Sequence, residues 1–215
     1  PTGKVLGEKE LKSISEIISD YDSYIVFDEV YRGLELNVEY TPSIVEYGPP
    51  EKTIVTSGLS KVFGLPGLRV GWIVSSRKFA EKFWATKDYT TICISALSDY
   101  IARHVMQPHI REKLISRNRE FVKRNLEIVE RIFSDYREVA WIHRPDAGAF
   151  TLMSYVISEE SIDLAEEIYR ELSILVVPGE CFNLKRTFRI GIGCESNILA
   201  EGLKKVLDYI AEKSI

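Results

Sequence analysis

Apolar residues recur at steps of three and four in the opening "GEKELKSISEIIS", where Leu11, Ile14, Ile17 and Ile18 are placed on one face of a helix. The period then changes. "YIVF" (24–27) is a short unbroken apolar run that ends in Asp28-Glu29 and reads as a buried strand. "PPEKTIVTSG" predicts a second strand around 54–56, opened by Pro-Pro and closed by Ser-Gly, and "RVGWIVS" (69–75) a third. Helix, strand, turn-rich loop and strand again is the alternation of an α/β sheet layered with helices. From about residue 95 the helical period returns. "KLISRNREFVKRNLEIVERIF" carries Leu114, Phe121, Leu126, Val129, Ile132 and Phe133 at helical spacing, with charges of both signs between them. That is a long amphipathic helix with a solvated outer face. Three strand candidates follow, "GAFTLMSYV", "SILVVPG" and "TFRIGIG", with helices near 161–172 and 197–213. The chain therefore reads as an α/β domain over 1–95, long connecting helices over 96–136, and a small α+β domain over 137–215.

Bulk properties narrow the function. The 215 residues are 45% apolar and 28% charged, enough for a real core. A net charge of −4 argues against nucleic acid or an acidic membrane as partner. No apolar run is long enough to span a bilayer, and no secretory signal opens the chain. Cys93, Cys181 and Cys194 are far apart and show no CxxC or CxxH spacing, which speaks against disulfides or zinc and for a reducing cytoplasm. His104 and His109 are five apart and His143 stands alone, so no metal is expected. Trp72, Trp84 and Trp141 are expected in the core.

The chemistry concentrates in "SGLSKVFGLPGLRVGW", Ser57 to Trp72, where one lysine sits on a glycine-rich bend and an arginine follows eight residues later. A lysine amine is a useful nucleophile only when its proton is easily lost, through burial or neighbouring positive charge. Arg69 supplies such charge and can also grip a phosphate with two N–H groups. On composition alone, the stretch reads first as a Gly-Pro surface loop whose Lys and Arg are merely solvated.

Order and spacing decide between them. Gly58-Leu59-Ser60-Lys61, then Gly64-Leu65, then Gly67-Leu68-Arg69 with Val70-Gly71, resembles the lysine signature of class I/II aminotransferases among the fold-type I pyridoxal-phosphate enzymes. The resemblance implies a partial large domain of that transferase fold, a mixed and mostly parallel sheet with helices, followed by a small α+β C-terminal domain. It implies that Lys61 is catalytic and carries pyridoxal 5′-phosphate. "IVFDEVY" is similar to the strand end where the family places a buried acid on the pyridine nitrogen and a tyrosine on the ring oxygen, which are Asp28 and Tyr31 here. Arg69, Ser57 and Ser60 are implied phosphate contacts. Gly58 stands where many members carry a hydroxyl. Arg189 in "TFRIGIG" matches the arginine that grips the substrate α-carboxylate, and "PDAGAF" (145–150) and "VVPGECF" (176–182) resemble loops that close over substrate.

The implied activity is ping-pong transfer of an amino group between an amino acid and a 2-oxo acid, by a cytoplasmic homodimer of amino acid metabolism. A fold-type I lyase or decarboxylase would use the same cofactor residues, and a non-catalytic aminotransferase-like regulatory domain is a further alternative. "PTG" at the start resembles the end of the family's Asn-Pro-Thr-Gly motif. The chain is thus expected to be an N-terminally truncated portion that, alone, holds cofactor weakly and turns over slowly.

Overall fold

The computed structural model describes residues 1–214. They form two compact units, Val5–Arg119 and, joined with Pro1–Lys4, residues 120–214. The division falls inside one long helix, whereas the sequence pattern places boundaries at 95/96 and 136/137.

In the first unit, helix α1 (Glu8–Asp20) starts at Gly7, whose N–H donates to the Glu10 carboxylate at 3.0 Å. Leu11 is wholly buried with Ile44 and Val55, and Ile25, Phe27 and Tyr47 pack around them. Ile17 does not share that face and is 57% exposed. Six residues at about 100° each carry it well round the helix from Leu11, while Ile18 returns to within a small angle.

Strand β1 (Ile25–Asp28) runs parallel to β2 (Thr53–Gly58), and β3 (Gly71–Val74) runs antiparallel to β2, giving a mixed sheet in the order β1-β2-β3. Asp28 lies opposite Thr56, and Gly58 opposite Gly71. β1 is not the buried strand its apolar run suggests. Ile25 and Phe27 face the α1 core, but Val26 is 67% exposed. An unbroken apolar run implies cover on both faces, and among the described residues β1 is covered on one. Helices α2 (Arg77–Lys87), α3 (Ala96–Val105) and α4 (Pro108–Ser134) follow. Trp84 on α2 is 72% exposed, so it is no core residue.

The second unit is an antiparallel sheet of β4 (Ala140–His143), β5 (Phe150–Tyr155), β6 (Val177–Pro178) and β7 (Thr187–Gly191) in the order β4-β5-β7-β6. Helices α5 (Ser161–Leu172) and α6 (Ser196–Glu212) complete it. Its core includes Met153, Leu164, Ile168, Phe188, Ile192, Leu207 and Ile210. "SILVVPG" yields only the two residues of β6, because Ser173 takes the left-handed conformation that ends α5. β4 has no counterpart in the sequence reading. Its Trp141 is exposed, again contrary to a core role. The three cysteines are free and exposed, and no helix among the described residues is long and apolar enough to cross a membrane.

Candidate active site

Lys61 is set on its bend by its neighbours. Leu59, Val62 and Phe63 are buried, and Lys61 between them is exposed. Alternation of buried anchors with one outward residue fixes where the amine emerges. Backbone bonds close the bend: Leu59 N–H to the Val70 carbonyl and Leu65 N–H to the Leu59 carbonyl, each at 3.0 Å. The Asn118 side-chain amide on α4 donates to the Val62 carbonyl at 2.9 Å, tying the bend to the helix. Gly58 has a steric reason to be glycine, since a Cβ there would stand 2.9 Å from the Val70 carbonyl oxygen. A hydroxyl-bearing side chain at this position is therefore closed to this chain.

Asp28 is the last residue of β1, and its Oδ1 accepts the Val30 N–H at 3.1 Å. It is exposed, not buried as expected, because it shares the open sheet face with Val26. The chain beyond it is pinned to β2: Glu29 N–H donates to the Thr56 carbonyl at 2.8 Å, and the Ser57 hydroxyl to the Glu29 carbonyl at 3.4 Å. This register brings Tyr31 to Lys61, whose Nζ lies 5.8 Å from the centre of the tyrosine ring. Ser60 is half-buried beside Lys61. Arg69 adopts a left-handed conformation with φ of 55°, and its Nη1 donates to the Pro66 carbonyl at 3.2 Å. A non-glycine residue there is uncommon and signals a conformation imposed by the surrounding turn.

A cavity of about 780 Å³ in the same unit is lined by Ser57, Trp72, Val74, Glu35 and Arg119 among others. It reaches Ser57 but none of Lys61, Asp28, Tyr31 or Arg69. The buried Glu35 carboxylate on its wall is bound by Arg119 at 2.6 Å. Its size does not make it the site: the amine, phenol and carboxylate lie elsewhere.

In the second unit Arg189 stands on β7 opposite Leu152 of β5 and Val177 of β6. Its guanidinium carbon is 4.2 Å from the centre of the Phe150 ring and 6.0 Å from that of Phe182. Sequence reasoning missed this pair of rings. The signal was present, since "PDAGAF" and "VVPGECF" each end in the phenylalanine concerned.

The sequence family described as "Aminotransferase class I and II" matches residues 1–206. The chain belongs to this family. It is 27% identical to the probable N-acetyl-LL-diaminopimelate aminotransferase of Bacillus subtilis, over 99% of this chain and 53% of that protein. It is 25% identical to an HTH-type transcriptional regulator of Staphylococcus aureus, over 98% of this chain and 48% of that protein. The fold matches a crystal structure of a PLP-dependent aminotransferase from Streptococcus suis with a TM-score of 0.89 and 28% identity, covering 99% of this chain and 55% of that one. The chain thus spans about half the length of the relatives it matches.

Pyridoxal 5′-phosphate is the cofactor of these aminotransferases. The donor set of the first unit fits it on chemical grounds: an exposed amine beside a phenol, a carboxylate at a strand end, a guanidinium and two hydroxyls. Lys61, Asp28, Tyr31, Arg69, Ser57 and Ser60 are the residues of this unit that would hold the group.

Proposed function

We propose that the protein is a pyridoxal-phosphate-dependent aminotransferase moving an amino group between an amino acid and a 2-oxo acid in two half-reactions. The observation that carries this reading is the Lys61 amine 5.8 Å from the Tyr31 ring centre, in the segments that follow the two parallel strands bearing Asp28 and Ser57. The cofactor supplies an aldehyde for amines and a ring that takes up the electrons left at a substrate carbon. Lys61 Nζ removes the proton from the substrate Cα and delivers it as acid in the following step. Asp28 holds a proton at the pyridine nitrogen, so the ring keeps its electron demand. The Tyr31 hydroxyl holds the ring oxygen. Arg69, Ser57 and Ser60 hold the phosphate, and Arg189 grips the substrate α-carboxylate through two parallel N–H bonds.

The same reading makes the working protein a cytoplasmic homodimer of amino acid metabolism. Cofactor residues alone do not select the bond broken, so product analysis tests the reaction. Transamination predicts a new amino acid formed only when a 2-oxo acid such as 2-oxoglutarate is supplied. Carbon dioxide or an eliminated group, released without any oxo acid, identifies a lyase instead. The likeness to an HTH-type regulator supports a second reading, a regulatory domain that binds the cofactor without turnover. Cofactor uptake with no product under either condition selects it.

A further inference from the structure

Helix α5 starts without a side-chain cap of its own, since its N-cap residue Glu160 makes no capping hydrogen bond. The free N–H groups of a first helical turn need an acceptor. Here the acceptor comes from a distant loop. Oε1 of Glu180 accepts the Ser161 N–H at 3.0 Å, and the Ser161 hydroxyl donates to Oε2. Ser161 is wholly buried, so its N–H and hydroxyl are shielded from water and depend on this acceptor. Burial works against the charged form of Glu180, but the hydrogen bonds it accepts, those from Ser161 foremost, together outweigh burial and hold the carboxyl below the usual carboxylate range.

Glu180 lies in the tight 3-10 turn Gly179–Phe182. Leu184 N–H donates to the Gly179 carbonyl at 2.9 Å, and the Thr187 hydroxyl donates to the Leu184 carbonyl at 3.1 Å. Any Cβ on Gly179 would collide with the Thr187 hydroxyl and the Leu184 carbonyl oxygen, so the turn lies directly on the start of β7. Its last residue, Phe182, is the second ring beside Arg189.

We propose that Glu180 is a positioning residue for Arg189: by docking on the uncapped start of α5 it anchors the turn that holds the Phe182 ring beside the guanidinium. A planar cation held against ring faces keeps its N–H fork in one plane, which is what two-point capture of a carboxylate requires. The functional consequence rests on the reading of Arg189 given above. The placement of the ring does not.

Nuclear magnetic resonance of the ¹⁵N-labelled protein tests it. Aromatic rings shift neighbouring protons, so the Arg189 Nε–H signal reports where Phe150 and Phe182 lie. Glu180→Ala is expected to speed hydrogen exchange of the Ser161 amide about tenfold and to move the Arg189 signal in the same direction as Phe182→Leu. Glu180→Gln, which keeps one carbonyl oxygen for the Ser161 N–H, is expected to restore both, and it serves as the informative variant if Glu180→Ala does not fold. Faster exchange at Ser161 with an unmoved Arg189 signal would overturn the proposal, leaving Glu180 as a helix cap alone. An unchanged Ser161 amide would overturn it as well. If the reading of Arg189 holds, Glu180→Ala also raises KM for the amino acid severalfold with kcat nearly unchanged. An unmoved KM together with a displaced Arg189 signal counts against the reading of Arg189, not against the anchoring by Glu180.

Discussion

Asp28 and Lys61 are set in the first unit by different means. Asp28 arrives as the last residue of a parallel strand, held in register with Thr56. Lys61 arrives because Leu59, Val62 and Phe63 are buried around it. A carboxylate that keeps the pyridine nitrogen protonated matters most while negative charge sits at the substrate carbon. Asp28→Ala is therefore expected to lower kcat by about a hundredfold or more, as loss of a preorganised charge partner does, with little change in KM. Steady-state kinetics with saturating cofactor measure this, and a loss confined to KM contradicts the assigned role. These residues could be singled out from the sequence because the spacing of the motif is local. Their exposure was not, because it depends on what covers the sheet face bearing Val26 and Asp28, and no local pattern records that.

Helix α4 shows the same division between pattern and partner. Its apolar period marked Leu126, Val129, Ile132 and Phe133, all of which are buried. It passed over Asn125, which is wholly buried on the same helix. The Asn125 amide donates to the carbonyls of Ile192 at 2.9 Å and Cys194 at 2.8 Å, and its oxygen accepts the Ser196 hydroxyl at 2.6 Å. One side chain thus joins α4, the exit of β7 and the first residue of α6. Asn125→Ala leaves one buried and two part-buried groups without their partner and opens a gap, so a loss of about 2–4 kcal/mol in unfolding free energy is expected. Denaturant titration checks this, and a loss under about 0.5 kcal/mol would mean that the network reforms around water. A polar residue at a core position breaks a binary pattern, so only its partners, which lie far away in sequence, identify it. β4 was missed for a related reason: Trp141 and His143 are exposed, and the alternation is too short to stand out.

Taken as a whole, the chain carries stability terms that titrate at high pH. Burial pushes the Tyr155 hydroxyl up to about 12, and its hydrogen bond to Asp208, aided by burial, does the same for Tyr136. Both groups are held protonated in the folded state above their ordinary value of about 10. Between those values the unfolded chain releases protons that the folded chain retains, so stability falls as pH rises from about 10 to about 12. Thermal unfolding across that window is expected to show the decline, and Tyr155→Phe to make it shallower; an identical slope in that variant would contradict the cause given. The α/β order, a long amphipathic helix through 113–133 and a small α+β domain were legible because each rests on periodicity within one segment. The pairing of β5 with β7, which brings Phe150 near Arg189, joins residues far apart in sequence and emerged only in the structure. The account as a whole depends on Lys61 being the amine that carries the cofactor. Borohydride reduction of the protein as purified from its source with pyridoxal 5′-phosphate, followed by peptide mass analysis, tests this most directly. The predicted result is a single stoichiometric adduct on the peptide containing Lys61. Label spread over the exposed lysines, with Lys61 no more modified than the rest, would contradict it.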